Sequence, residues 1–420
     1  KIKDRKAMPN ILEYFIAKRL IVAKEYKSSI SAPIIKIAIT AIALGMIMMI
    51  VSVATGTGLQ DKIREKISAF NGHIIISNYN DNQSDVSTEP MSKRQHFYPT
   101  FNTIPGINHV QAVATKDGII RTENAFEGII FKGVGTDYRW NTLKEYLVEG
   151  KIPSVSGTLT NEIVISKYLA NRLELHLNDE FNTFFIKKEA NKLPNLRRFK
   201  IVGIYNSGFP EFDAAYLFGD IRHIQRINKW NENEVGSFEV FIDDFTQIES
   251  KGQEVYHEIS STLNSQTIID KYYYIFEWLK LFDFNIIVIL VIMIIVSTIN
   301  MVVALLVIIL ERTQMIGILK SLGANNWTVR KIFLYNASYL ILRGLFWGNL
   351  IGISLLLVQK YFGVIQLNPE NYYVSQAPVN IDIVTILVLN LGTVVICLLV
   401  LLIPSYIITK ISPAKTIRFE

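Results

Sequence analysis

The stretch FNIIVILVIMIIVSTINMVVALLVIIL, residues 284–310, decides the fold. Of its 27 residues, 20 are Ile, Leu, Val or Phe, and no charge interrupts it. About 20 apolar residues are enough for a helix to cross the hydrocarbon of a bilayer. At about −0.3 to −0.6 kcal/mol for each such residue, insertion outweighs the cost of Ser297, Thr298 and Asn300. The stretch is predicted to span a membrane.

Glu311 and Arg312 end this run, and TQMIGILKSLG follows at residues 313–323. Met315, Ile318, Leu319 and Leu322 recur at helical spacing, with Arg312, Gln314, Lys320 and Ser321 around the rest of the turn. Gly323 is a natural helix stop, and Asn325 or Asn326 can cap the next helix. A short amphipathic helix is therefore expected between two spans. Two readings fit it: a helix lying in the membrane interface, or one docked in a groove of a cytoplasmic partner.

Three further spans are expected, at 34–58, 327–358 and 383–409. Lys36 is near one end of the first and can snorkel. Met46, Met48 and Met49 cluster in its later half, where flexible thioethers suit either helix packing or varied acyl chains. Gly56 and Gly58 allow bending or close packing. Arg343, inside the third span, must reach water, a headgroup or a partner. Lys and Arg number eight before the first span, four in 311–331, three in the tail and one in 359–382. That asymmetry puts both termini and the short helix in the cytoplasm, and the large segment 59–281 outside.

At 420 residues, half of them hydrophobic, and with a mean hydropathy of +0.27, the chain fits a few spans joined to a sizeable soluble domain. The net charge of +6 is modest and is not gathered into a nucleic-acid patch. Cys397 is the sole cysteine, so no intramolecular disulfide can form.

Segment 59–281 reads as an α+β domain. Strands are expected at 72–77, 111–114, 118–121, 127–133, 161–166, 199–205 and 238–242. Helices are expected after Ser166, at 221–228 capped by Asp220, and at 247–263 capped by Thr246. Ile186–Arg198 is expected as a basic loop between strands, a solvated hairpin tip on its residues alone. Tyr272, Tyr273, Tyr274, Phe276 and Trp278 suggest an interfacial aromatic belt. Ile11–Ile21 reads as a helix along the cytoplasmic face. Lys1–Ala7 reads as an upstream extension, since Met8 would make a natural start and no cleavable signal precedes the first span.

Chemistry is sparse. No phosphate loop and no Gly-x-Ser-x-Gly elbow is present, and the six histidines are scattered without metal-ligand spacing. No catalytic or metal-binding residue is expected, and no cofactor on this chain.

The string Glu311-Arg-Thr-Gln-Met-Ile-Gly-Ile-Leu-Lys-Ser-Leu-Gly-Ala324 resembles the segment after the second span of FtsX-like ABC permeases. That family includes the lipoprotein-releasing (Lol) permeases, the MacB efflux proteins and FtsX. Phe15-Ile-Ala-Lys-Arg19 resembles the family's elbow helix, and Tyr372-Tyr-Val-Ser-Gln-Ala-Pro-Val379 and Ser412-Pro-Ala-Lys415 resemble its outer loop and tail. The resemblance implies a MacB-like (type VII) fold: four transmembrane helices, with a large periplasmic α+β domain of porter-like and sabre-like parts between spans 1 and 2. It also implies an inner-membrane location.

In such permeases the short helix couples to a separate ABC ATPase, which carries the ATP and magnesium. The matching positions are Glu311, Arg312, Met315, Gly317, Ile318, Leu319, Lys320, Leu322 and Gly323. A lipid-anchor cavity is expected near Met46, Met48, Met49, Val53, Phe284 and Ile287. A carrier-binding hook is expected at Leu193, Pro194, Arg197 and Arg198. The implied partners are the ATPase, a second permease copy or paralogue, a lipoprotein substrate, a periplasmic lipoprotein carrier and membrane lipids. The implied function is extraction of lipoproteins from the membrane. The alternatives are an FtsX-like mechanotransmitter that controls a cell-wall hydrolase, or a MacB-like efflux permease.

Overall fold

A computed structural model describes residues 13–17, 19, 31–81, 84–123, 125–187 and 193–411. Lys1–Ala7, much of the elbow segment, the tip of the loop at 188–192 and the tail from Ser412 lie outside the described residues. The chain divides into two compact units. One holds 1–59, 279–365 and 377–420, the other 60–278 and 366–376.

In the first unit, four helices among the described residues are long and apolar enough to cross a membrane. They belong to span 1 (Ser31–Asn71), span 2 (Tyr273–Glu311), span 3 (Asn326–Phe362) and span 4 (Ile383–Ser405). The first two run well past the expected limits: 41 and 39 residues rise about 60 Å, twice the hydrocarbon thickness. The core joins Ile42, Met46 and Met49 of span 1 with Met301, Leu305 and Ile309 of span 2. Phe333, Ala337 and Ile341 of span 3 and Cys397 and Leu401 of span 4 complete it.

Span 3 carries Gly344, Gly348 and Gly352, spaced by four. A Cβ at Gly348 would lie 2.7 Å from the Met46 Cβ and 2.9 Å from the Ala43 carbonyl oxygen. A Cβ at Gly344 would meet the Ile42 side chain at 2.7 Å. Spans 1 and 3 thus pack through a stripe of small residues, the usual route to close approach where lipid removes the hydrophobic drive. In the elbow, Tyr14 meets Tyr335 of span 3 edge-on at 6.2 Å, and Glu13 lies 3.9 Å from Lys331.

The second unit is built on β1 (Ile74–Asn78), β2 (Met91–Ser92), β3 (Ile107–Arg121), β4 (Phe126–Val134), β5 (Leu147–Gly150) and β6 (Glu162–Ser166). After these come β7 (Glu180–Phe185), β8 (Asn195–Tyr205), β9 (Tyr216–Asp220), β10 (Glu234–Val235), β11 (Ser237–Ile242) and β12 (Leu263–Thr267). Ten strands form one mixed sheet in the order β12-β1-β11-β3-β4-β9-β6-β8-β5. β7 pairs with both β3 and β8, so the ladders from β3 to β8 close into a ring. Phe131, Phe185 and Phe199 fill it, and Phe131 stacks on Phe199 at 5.1 Å. A second aromatic core gathers Phe70, Tyr205, Phe212 and Phe218, with Phe70 stacked on Phe212 at 4.5 Å.

Several local expectations change. The two strands expected at 111–114 and 118–121 are one strand, β3, because β4 supplies ladder partners straight through Thr115–Asp117. The helix expected at 247–263 ends at Glu258, and Leu263 opens β12, whose pairing with β1 overrides the helical pattern. Thr246 does not cap it: Asp244 caps the 3-10 turn Phe245–Gln247 just ahead, accepting from the Thr246 N–H at 2.9 Å, and Gln247 holds the helix's own cap position without a side-chain bond. Asp220 accepts from the Arg222 N–H at 2.9 Å, but Ile221 holds the cap position of helix Arg222–Asn228. Ser166 caps its helix as expected, accepting from Leu169 N–H at 3.0 Å. The basic loop is shorter than expected, since β8 begins at Asn195 and takes Arg197 and Arg198 into a strand.

Candidate functional site

The short helix after span 2 occupies Thr313–Ser321. Its start is held by the Thr313 hydroxyl, which donates to the Leu310 carbonyl at 2.6 Å. At its end Gly323 takes φ +90°, where only glycine sits without strain. Gly323 N–H bonds the Lys320 carbonyl and Ala324 N–H the Leu319 carbonyl, both at 3.0 Å, a Schellman closure. Asn325 then starts span 3, its side chain accepting from Thr328 N–H at 2.7 Å. Two helices are thus stopped and started within five residues.

The helix buries one side. Ile316 and Gly317 are buried, and Met315 and Leu319 pack on the core that holds Leu401 and Ile408 of the last segment. Ile318 and Leu322 point away from it, exposed at 49% and 80%, with Trp327 at 50% beside them in sequence. The stripe Met315, Ile318, Leu319 and Leu322 expected from spacing is therefore split between two faces, and Ile316 joins the inner one. Glu311 and Gly323 are exposed, Arg312 half-buried.

Lys320 belongs to neither face. Span 4 is broken near its end: Pro404 cannot donate to the helix ladder, the main helix stops at Ser405, and a short helix, Ile407–Lys410, follows. The Lys320 ammonium donates to the carbonyls of Ile408 at 2.5 Å and Ile411 at 2.9 Å. Lys320 was expected among the groups a partner would contact. Within this chain its charge meets the carbonyl end of the short helix Ile407–Lys410, whose partial negative charge attracts a cation.

The expected lipid-anchor residues separate. Met46 and Met49 are buried in the core, Val53 is half-buried, and Met48, Phe284 and Ile287 are exposed. Two buried methionines thus pack helices, while the outward group offers an apolar surface along spans 1 and 2.

The expected hook residues separate too. Leu193 is exposed at 85%, and Pro194 is exposed beside it. Arg197 and Arg198 stand on β8, where Arg198 pairs with Glu180 at 2.8 Å. Of the aromatics expected in an interfacial belt, only Tyr273 and Tyr274 are exposed. Phe276 is buried and stacks on Phe245 at 6.0 Å, Tyr272 meets Phe212 edge-on, and Trp278 meets Tyr373. Arg343 places its guanidinium 5.0 Å from the Tyr339 ring, one turn nearer the start of span 3.

Three polar arrangements escaped the sequence reading. In the soluble unit Lys132 and Glu239 form an ion pair, exposed at only 2% and 3%. Lys132 also donates to the Phe70 carbonyl, and Gln111 Nε2 donates to Glu239 at 2.7 Å. Burial lowers the Lys132 ammonium pKa, opposed by Glu239. Lys66 donates to the Ser207 and Tyr373 carbonyls, tying loop 366–376 into the soluble unit, and burial lowers its pKa to about 8. Burial and then the nearby Arg139 charge hold the His73 imidazole down to about 4. No spacing rule marks these residues, since their partners are 62 to 307 positions away in sequence.

Comparison with known proteins follows the same division. Residues 37–255, more than half of the chain, match the MacB-like periplasmic core domain family. Residues 287–413 match the FtsX-like permease C-terminal family. The lipoprotein-releasing system transmembrane protein LolC of Xylella fastidiosa is 21% identical, over 98% of this chain and all of that one. The lipoprotein-releasing system transmembrane protein LolE of Haemophilus influenzae is 20% identical, over 96% of this chain and 98% of that one. Among solved structures, the periplasmic region of MacB from Actinobacillus actinomycetemcomitans is similar at 15% identity and a TM-score of 0.32, covering 47% of this chain and 88% of that one. The chain belongs to the family of multi-pass permeases that carry a MacB-like periplasmic core domain ahead of an FtsX-like permease C-terminal region.

Proposed function

We propose that this chain is the membrane subunit of an ABC complex that extracts lipoproteins from the bacterial inner membrane and passes them to a periplasmic carrier. The observation that carries the reading is the helix Thr313–Ser321, stopped and restarted by Gly323 and Asn325, with Ile318 and Leu322 left uncovered. End-to-end similarity to LolC and LolE proteins supplies the cargo class.

In this reading the helix lies in the cytoplasm and seats in a groove of a separate ATPase that holds ATP and magnesium. A second permease copy or paralogue completes the complex. Closure of the ATPase pair biases the spans between two arrangements. The outward apolar group of Met48, Phe284 and Ile287 then faces the lipid anchor, and the exposed Leu193 and Pro194 face the carrier.

The test is reconstitution of the chain with its cognate ATPase in proteoliposomes holding a fluorescent lipoprotein, with soluble carrier outside. Transfer that requires ATP supports the reading. ATPase binding without any transfer, together with capture of a cell-wall hydrolase, overturns it in favour of a mechanotransmitter.

A further inference from the structure

The end of span 4 is held by two cations from two other elements. Lys320 of helix Thr313–Ser321 donates to the carbonyls of Ile408 at 2.5 Å, Thr409 at 3.5 Å and Ile411 at 2.9 Å. Arg330, in the first turns of span 3, donates from a guanidinium NH2 to the Leu402 carbonyl at 2.9 Å and from Nε to Ser405 Oγ at 3.0 Å. Leu402 and Ser405 flank Pro404, and Ile408, Thr409 and Ile411 lie at the end of the short helix that follows.

We infer that Lys320 and Arg330 are positioning residues that lock the broken end of span 4 to the cytoplasmic helix and to span 3, so that a displacement of that helix moves span 4 with it. The inference rests on the proposed docking of an ATPase on this helix.

Apolar contact alone does not fix direction. Met315, Ile316 and Leu319 share a core with Leu401 and Ile408, but such surfaces can slide past one another at little cost. An ammonium with three donors facing three carbonyls resists sliding in every direction, because any displacement lengthens at least one of these bonds. The position of Lys320 is decisive here. It lies at the end of the helix, next to the exposed Leu322. A push on the outer face therefore reaches the fourth span through a directional polar contact as well as through the shared core.

The experiment uses the complex with its ATPase in lipid nanodiscs, with spin labels on the exposed positions Gln314 and Ile407. In the otherwise wild-type chain the distance between labels is expected to stay constant between nucleotide-free and ATP-bound states. In K320M, which keeps the apolar stem and loses the donors, the distance should become nucleotide-dependent and broad. K320R should restore the constant distance, and R330L should broaden it with ATPase still bound.

Lipoprotein release per ATP hydrolysed should fall about tenfold in K320M, within the range of a lost coupling between sites. A constant label distance in K320M, or release per ATP equal to wild type, overturns the inference. So does loss of ATPase binding in K320M, which would make Lys320 a docking contact. Failure of the unsubstituted chain to bind any ATPase strikes the functional reading instead, and is scored separately from the label distances.

Discussion

Asn349 of span 3 and Asn390 of span 4 exchange their amides, each donating from Nδ2 to the other's Oδ1, at 2.7 and 3.0 Å. Each also donates to a carbonyl one turn back in its own helix, Asn349 to Leu345 and Asn390 to Ile386. Inside hydrocarbon neither side chain has water to fall back on, so the pair fixes the register of the two spans. Interhelical hydrogen bonds of this kind contribute about 0.6–2 kcal/mol. N349L and N390L should each lower stability by about that amount, and the double variant should lose less than their sum. A double-mutant cycle by denaturant titration in detergent checks this, and strict additivity would refute the coupling.

The small-residue stripe predicts a larger effect. Because a Cβ at Gly348 would sit 2.7 Å from the Met46 Cβ, G348L must push spans 1 and 3 apart. Overpacking of this sort costs about 1–3 kcal/mol. A lowered melting temperature is the expected outcome. At Gly392 nothing lies within reach of a Cβ, so G392A serves as the control.

The Lys132–Glu239 pair lies deep in the sheet, bridging β4 and β11. Removing one member strands the other charge, at a cost of about 3–5 kcal/mol. K132M and E239L should each show it in chemical denaturation. K132M together with E239L should recover most of the loss, since desolvating two charges offsets much of their attraction.

His73 gives the soluble unit an acid limit. Its Nδ1 accepts from Ile242 N–H at 3.1 Å, so the folded state uses the neutral ring. Its pKa is lowered to about 4 from an ordinary 6.5, mainly by burial and then by the Arg139 charge. Between those values the unfolded chain binds more protons than the folded one, so stability is full above pH 6.5 and falls as pH drops towards 4. The loss contributed by this group is bounded by a few kcal/mol. H73Q should flatten the melting temperature across that interval, and an unchanged pH profile would count against the assignment.

The helix Thr313–Ser321 separates two kinds of substitution. I318E and L322E alter the exposed face and should abolish ATPase co-purification while leaving the melting temperature intact, each removing about 2 kcal/mol or more of binding. L319E places a charge in the core and should destabilise the chain itself. If I318E and L322E still co-purify with the ATPase, the docking face lies elsewhere.

The spans were legible because membrane insertion is a sum over neighbours in sequence, and Phe284–Leu310 needs no partner to be favourable. The limits of the short helix were legible for the same reason, since Gly323 and Asn325 act on their own peptide groups. The face it buries was not. Helical spacing gives a stripe but not its direction, and Met315 and Leu319 went inward while Ile318 and Leu322 stayed out. Strand continuity through Thr115–Asp117 and the early end of helix Ile248–Glu258 failed for a related reason, because pairing with β4 and β1 outweighed local composition. The stripe of Gly344, Gly348 and Gly352 was present in the letters at a readable spacing, and the signal was there to be found.

The sequence by itself determined that this chain crosses a membrane several times, carries one large α+β domain, and interrupts its crossings with a capped amphipathic helix. Each of those follows from free energies that neighbouring residues settle among themselves. Only the tertiary structure decided that Lys320 spends its charge on the carbonyls of Ile408 and Ile411, that Lys132 meets Glu239, and that Met46 and Met49 fill a core while Met48 does not. Those outcomes depend on groups brought together from distant parts of the chain, where desolvation and hydrogen bonding act across space and leave no periodic trace in the sequence.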